Sequence, residues 1–422
     1  MKRILILYFI FITISIQAQN LYKKEALKKF EAEDYSEAIK LLEKALIESP
    51  IDAEIYYFLG WFNHYNAYDS RPLKGYDFNS SKKIFNYLDK AIELNSNYGD
   101  AKYFYGAECS GNAFLAMQNN NLKKLKYFYK LAYNKGAYPK WLIEYGKNIL
   151  ENCQKNAILF TAGNADFDVC MYLQLHEGIR KDITLIPLGN IDRPWYVKFL
   201  KNGLKGGVKK IDLSLSDTQI MDIHPFKWKT TNIQIKVSDE ESQNYGLSNN
   251  YFNWEVNPDL TSERLHSKSE NEIAKKRTYL SPQRAILLQI IEDNYKTRPI
   301  FFSNYASSSL YGGLDNQFEN YGLISKLTPI HTKNTKWEIN FEMLDKIINE
   351  NSISNFNLIS KTDIPRISGL IKFSYFSIFT NLFDKKSSCP NCIYKLKELH
   401  KDYLEVGFSR QFNDHLNSIF EK

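Results

Sequence analysis

The sequence predicts an α/β protein with all-α flanks: a helical solenoid, a central layer of strands alternating with helices, then a C-terminal helical region. Three observations carry this. Small residues recur at helix-pair spacing over 20–153, apolar runs alternate with amphipathic stretches over 154–335, and helical periodicity returns over 336–422. At 422 residues and 44% hydrophobic content, the chain has material for two or three full cores.

The chain opens with "MKRILILYFIFITISIQAQN", in which Lys2 and Arg3 precede an apolar run of 13 residues from Ile4 to Ile16. That run is shorter than the ~20 residues needed to cross a bilayer, and small Ala18 follows it. Residues 1–19 read as a cleaved export signal, processed near Ala18 or Gln19, with an uncleaved anchor as the alternative. The mature chain is expected in the periplasm or outside a Gram-negative-type cell. A net charge of +7, part of it in Lys2 and Arg3, is too mild to point to nucleic acid.

In "ALKKFEAEDYSEAIKLLEKALIESP", Ala26, Ala38, Ala45 and Pro50 fall at offsets 0, 12, 19 and 24. Small residues at this spacing let two antiparallel helices approach closely, and proline stops the second. Gly60 follows Ala26 by 34 residues, Gly106 and Gly146 repeat the position after 46 and 40, and loop-like "DSRPLKGYDFNS" and "AMQNNN" absorb the excess. The pattern resembles tetratricopeptide repeats, three with a closing helix. Such a stack presents a concave groove to a protein or peptide partner. Tyr56, Tyr57, Trp61, Tyr103 and Tyr105 are the groove candidates; the alternative is that they pack between repeats.

From Ala157 the period changes. "AILFTAG" reads as a strand, "FDVCMYLQLHEG" as a helix ended by Gly178, "DITLIPLGN" as a strand, and "RPWYVKFLKNG" as a helix stopped by Gly203. "SPQRAILLQIIEDNY" starts with Ser281 as cap and Pro282 in the first turn, and leads into the strand "RPIFFSNYA". Strands alternating with helices imply a parallel, Rossmann-like sheet. "NIQIKV" is read as an extra strand and "TSERLHSKSENEIAKKR" as loop or solvated helix.

In the tail, "RISGLIKFSYFSIFTNLF" is read as a core helix rather than a membrane span, because Lys372 and several Ser and Thr interrupt it. With "CIYKLKELHKDYLEVGF" it makes a helical hairpin whose bend holds Cys389 and Cys392. That pair reads as a short disulfide or two loop thiols, with a redox dithiol as the alternative. Cys109, Cys153 and Cys170 stand alone in apolar patterns and are expected in the core.

"AILFTAGNADFDVCMYLQLHEGIRKDITLIPLGN…PWYVKFL", "YLSPQRAILLQIIEDNY…RPIFFSNYA" and "QFENYGLISKLTPI" resemble, in order, the soluble C-terminal part of membrane O-mannosyltransferase-like proteins. The resemblance covers roughly 155–330, with 366–405 as a weaker fourth patch. It implies the fold and an exported, glycan-linked neighbourhood. It does not imply mannosyl transfer: the many-span core that carries the chemistry has no counterpart here. The family's acidic turn is also reduced to "GNAD", retaining only Asp166.

In open parallel sheets, ligands bind beyond the carboxyl ends of the strands. Three strands end there in polar residues: Gly163, Asn164, Asp166 and Asp168; Asn190, Asp192 and Arg193; and Ser303, Asn304 and Tyr305. The sharpest expectation is that Asn164, Asp166 and Asp192 share one pocket, with Arg193 and Asn304 beside it. The bland reading makes Asp166 or Asp168 a helix cap and Arg298 the partner of a surface carboxylate. Lys198, Lys201 and Lys205 share a helical face, where solvated charge is the default. His176 and His224 have no partner at ligand spacing, and no catalytic triad, phosphate loop or metal motif is present in the sequence. No cofactor or metal is therefore expected. The sequence reads as an exported, non-catalytic adaptor. Its repeats hold a protein, and its α/β edge recognises a small polar or glycan group, in association with envelope membrane proteins. A glycan-acting enzyme or an accessory subunit of a glycosyltransferase system is the alternative.

Overall fold

The computed structural model describes residues 21–69, 75–259, 279–330, 339, 341–350 and 358, and, in the C-terminal helix, 367–369, 371, 374, 375, 378 and 381. The segments read from the sequence as an export signal and as a C-terminal hairpin with Cys389 and Cys392 at its bend, like the polar run after Asp259, lie wholly or mostly outside these residues. The fold is mixed α/β with a helical N-terminal region, in two compact units: the chain up to Ala116 with Lys123–Pro139 and Thr362–Ser368, and Met117–Leu122 with Lys140–Lys361 and the chain from Gly369 onward.

The first unit holds α1 (21–31), α2 (Tyr35–Glu48), α3 (Ala53–Ala67), α4 (Ser81–Leu94), most of α5 (Gly99–Gln118) and α6 (Leu122–Asn134). The two-residue strands β1 (Tyr68–Asp69) and β2 (Gly75–Tyr76) pair between α3 and α4. The Asp34 carboxylate caps α2 by accepting from the Glu37 amide. Ala26, Ala38 and Ala45 are fully buried. A Cβ at Gly60 would stand 2.6 Å from the Leu88 side chain, and one at Gly106 would stand 2.7 Å from Ala137. Gly60 is small because α4 touches α3 there, and Gly106 because the turn after α6 packs onto α5.

In the second unit, α7 (Lys140–Asn152) packs on α8 (Asn164–Tyr172) at Gly146, where a Cβ would meet Val169 at 2.8 Å. The strand β3 (Ile158–Thr161) is buried at all four positions and lies at the heart of a five-stranded sheet. It is parallel to β4 (Thr184–Pro187), with Ile158 opposite Thr184. Between β4 and the next sheet strand come α9 (Pro194–Asn202), α10 (Asp217–Met221) and β5 (Phe226–Lys227). Then come β6 (Thr231–Lys236), α11 (Asp239–Asn244), β7 (Tyr251–Val256), β8 (Tyr279–Leu280) and α12 (Pro282–Asn294). The "NIQIKV" strand is β6; its antiparallel partner β7 buries Phe252, Trp254 and Val256 on alternate positions. Gly178 and Gly203 stop their helices at positive φ, and Ser281 caps α12.

The sheet continues through β9 (Ile300–Ser303), β10 (Phe318–Asn320) and β11 (Ile324–Leu327), in the order β10-β11-β9-β3-β4. β9 is parallel to β3, but β11 and β10 run antiparallel. The parallel expectation is thus corrected to a mixed sheet. The physical reason is the link: β10 and β11 are joined by three residues around Gly322 at φ +83°, and so short a turn can connect only antiparallel strands. Helix α13 (Phe341–Glu350) follows.

Candidate functional site

Because β3, β4 and β9 are parallel, the loops after them open on one sheet edge. The structure closes much of that edge. Asp166 is fully buried. Its Oδ1 accepts from the Gly163 amide at 2.9 Å, and its Oδ2 accepts from the Ala162 amide at 2.9 Å and the Ser303 hydroxyl at 2.5 Å. Burial pushes its carboxyl above the ordinary range, opposed by these donors. Asp166 therefore brackets the turn and ties it to β9, instead of facing an open pocket.

The other edge residues divide. Asp168 is buried, and Asn164 is exposed at the start of α8. Half-buried Asn304 donates to the Gly322 carbonyl at 2.7 Å, fastening β9 to the β10–β11 turn. The Tyr305 hydroxyl accepts from Ser374 at 2.6 Å, in a group of tyrosines with Tyr145 and Tyr375. Asn190 precedes Asp192 and Arg193, both half-buried before α9. Burial raises the Asp192 carboxyl despite the adjacent Arg193, and its buried Oδ1 has no partner among the described residues. Asp166 is thus committed to the turn and to Ser303, while Asp192 stands before α9 on the loop after β4. Gly163 and Gly189 leave open space where a Cβ would stand.

Arg298 is not on the surface: it is buried, donating to the carbonyls of Asn156, Ala157 and Lys210 and to the Thr184 hydroxyl at 2.7–3.1 Å. It stitches the starts of the parallel strands together, and burial lowers its pKa to about 10. Lys198 pairs with Asp217 at 2.7 Å, and Lys201 donates to the Leu215 carbonyl at 2.6 Å. His176 stacks on Tyr172, and Cys109, Cys153 and Cys170 are buried in the core, as their apolar surroundings in the sequence predict. Of the groove candidates, Tyr57 and Tyr105 are buried in helix packing, with Tyr98 and Phe85 respectively 4.9 and 4.8 Å away. Tyr56, Trp61 and Tyr103 remain partly exposed. Among the described residues no cluster of three His, Cys, Asp or Glu has metal-holding geometry, and no helix is long and apolar enough to cross a membrane.

The opposite edge holds what the sequence reading missed. A cavity of about 420 Å³ is lined by Gln154, by Ser238, Glu240, Glu241, Asn244 and Tyr245, by Tyr295 to Pro299, and by Lys326 and Leu327. These residues come from the approaches to β3 and β9, the α11 segment and the end of β11, which place the cleft at the amino ends of the parallel strands. Glu241 is its centre. The Tyr295 hydroxyl donates to Glu241 Oε1 at 3.1 Å, and the Lys326 ammonium lies 3.7 Å from the same oxygen. Burial raises the Glu241 carboxyl, while Lys326 and Tyr295 pull it down. Tyr245 is half-buried, its phenol pushed up to about 12 by burial and by Glu319 and Glu241. One sequence signal pointed here: Lys326 sits inside the otherwise apolar strand run "GLISKLTPI".

The family model of TMEM260-associated domain 2 matches residues 142–265 and 230–347, two overlapping segments that span the described sheet. That family is linked to O-mannosyltransferase-like proteins. No curated protein and no solved structure matches the chain.

Proposed function

We propose that the chain is an exported, non-catalytic adaptor whose α/β unit binds a small polar ligand in the amino-edge cleft. The cleft itself carries this reading: its volume suits a small molecule, and its walls supply convergent polar groups with buried Tyr295 and half-buried Tyr245. The helical N-terminal region is read as a tetratricopeptide-like solenoid, because small residues recur at its close helix contacts. Tyr56, Trp61 and Tyr103 are its groove candidates for a protein partner. The core of the second unit is read as Rossmann-like, with the β10–β11 hairpin added to its edge. Export rests on the N-terminal pattern; N-terminal sequencing of the purified protein should find a start near Ala18, and recovery of residues 1–15 would contradict it.

The TMEM260-associated match favours one other reading, an accessory subunit of a glycosyltransferase system or a glycan-acting enzyme. A glycan array run beside a sugar-nucleotide turnover assay separates the two. The adaptor reading expects binding without turnover, and turnover by the purified chain alone would overturn it.

A further inference from the structure

The arrangement of donors and acceptors in the cleft narrows the ligand class. Both contacts to the Glu241 carboxylate converge on Oε1, leaving Oε2 without a recorded partner among the described residues. The Lys326 side chain is 12% exposed, yet its ammonium has one recorded partner, at 3.7 Å. An ammonium has three donors, so most of this capacity is unused. A free acceptor and a free donor thus stand side by side in a recess. A group that donates and accepts at once satisfies both, and a hydroxyl does this with one oxygen.

Charge points the same way. An anion drawn to Lys326 would meet Glu241 and Glu240, while a cation drawn to Glu241 would meet Lys326 and Lys296. The Arg298 guanidinium is committed to carbonyls and Thr184, so it offers no further anion site. The walls are chiefly polar, which disfavours an apolar guest. Tyr245 adds a half-buried ring that can cover the C–H face of a polyol.

We infer that the cleft takes a neutral, hydroxyl-bearing ligand of monosaccharide to disaccharide size, with one hydroxyl held between Glu241 Oε2 and the Lys326 ammonium. This rests on reading the cleft as the ligand site, and the test separates the two claims. The full chain is titrated by calorimetry with methyl glycosides of several hexoses, with inorganic phosphate, with methylammonium and with acetamide. At least one glycoside should bind and the other three probes should not. Glu241→Gln and Lys326→Met should each weaken that binding by about tenfold, the loss of one good hydrogen bond. The variant Asp222→Asn, at an exposed side chain outside the cleft, should change it less than about twofold. Melting curves confirm that each variant is folded, and Lys326→Met keeps most of the side-chain stem. Binding of phosphate, methylammonium or acetamide in place of glycosides, abolished by the same variants, overturns the ligand class and leaves the cleft reading standing. Binding of no probe, or binding that ignores both variants, overturns both.

Discussion

At the scale of single residues, two aspartates show how one side-chain type takes opposite roles. Asp166 holds three donors in a fully buried site. Asp166→Ala should cost about 2–3 kcal/mol, because buried donors are left unpaired. Urea denaturation measures the loss; ligand affinity in the cleft should not change. Its pKa is raised above the ordinary 3.8, so the folded state holds the proton more tightly than the unfolded chain. The proton-linked part of its contribution to stability is therefore complete below pH 3.8 and is lost as pH rises through the elevated folded value, apart from the hydrogen bonds that Asp166→Ala removes. Asp182 behaves oppositely. The Arg180 guanidinium lowers its pKa to about 2, so its contribution is present above pH 3.8 and is lost as pH falls through about 2. Asp182→Asn should flatten the acid limb of the stability profile between those values, while Asp166→Asn should not. The "GNAD" turn was legible as a turn. Its closure was not, because the decisive partner, Ser303, lies 137 residues away.

At the scale of elements, the sequence was most legible where small residues or caps mark geometry directly. Gly60 and Gly146 each occupy a helix–helix contact too close for a Cβ, and Gly106 meets Ala137 in the turn after α6 just as closely. Gly60→Ala should destabilise the first unit by about 1–3 kcal/mol through overpacking against Leu88. Leu88→Ala in the same chain should recover part of that loss, and a double-mutant cycle in thermal melts measures the coupling. The β10–β11 hairpin was not legible as an antiparallel addition. Its strands have three and four residues, and Glu319 and Lys326 interrupt their apolar pattern. Lys326 is also the residue that brings charge to the cleft, so one position both weakened the strand signal and marked the site. Glu241 was hidden by an ordinary disguise, an acidic first turn after the cap Ser238.

At the scale of the whole molecule, the strand-and-helix alternation specified an α/β core and a shared edge for three loops, and the structure contains both. The general rule that ligands sit at carboxyl ends directed attention to that edge, but its central carboxylate is closed there by Ser303 and two amides. The open recess formed instead at the amino ends, from α11, the loop between α12 and β9, and β11, segments far apart in sequence whose convergence no local pattern encodes. The central claim is that this recess is where the protein binds its ligand. A crystal structure of the full chain soaked with the tightest-binding methyl glycoside tests it most directly. The account predicts the sugar between Glu241 and Lys326, with a hydroxyl within hydrogen-bond distance of both. A sugar seated beside Asp192 at the opposite edge, with the Glu241 cleft empty, would contradict it.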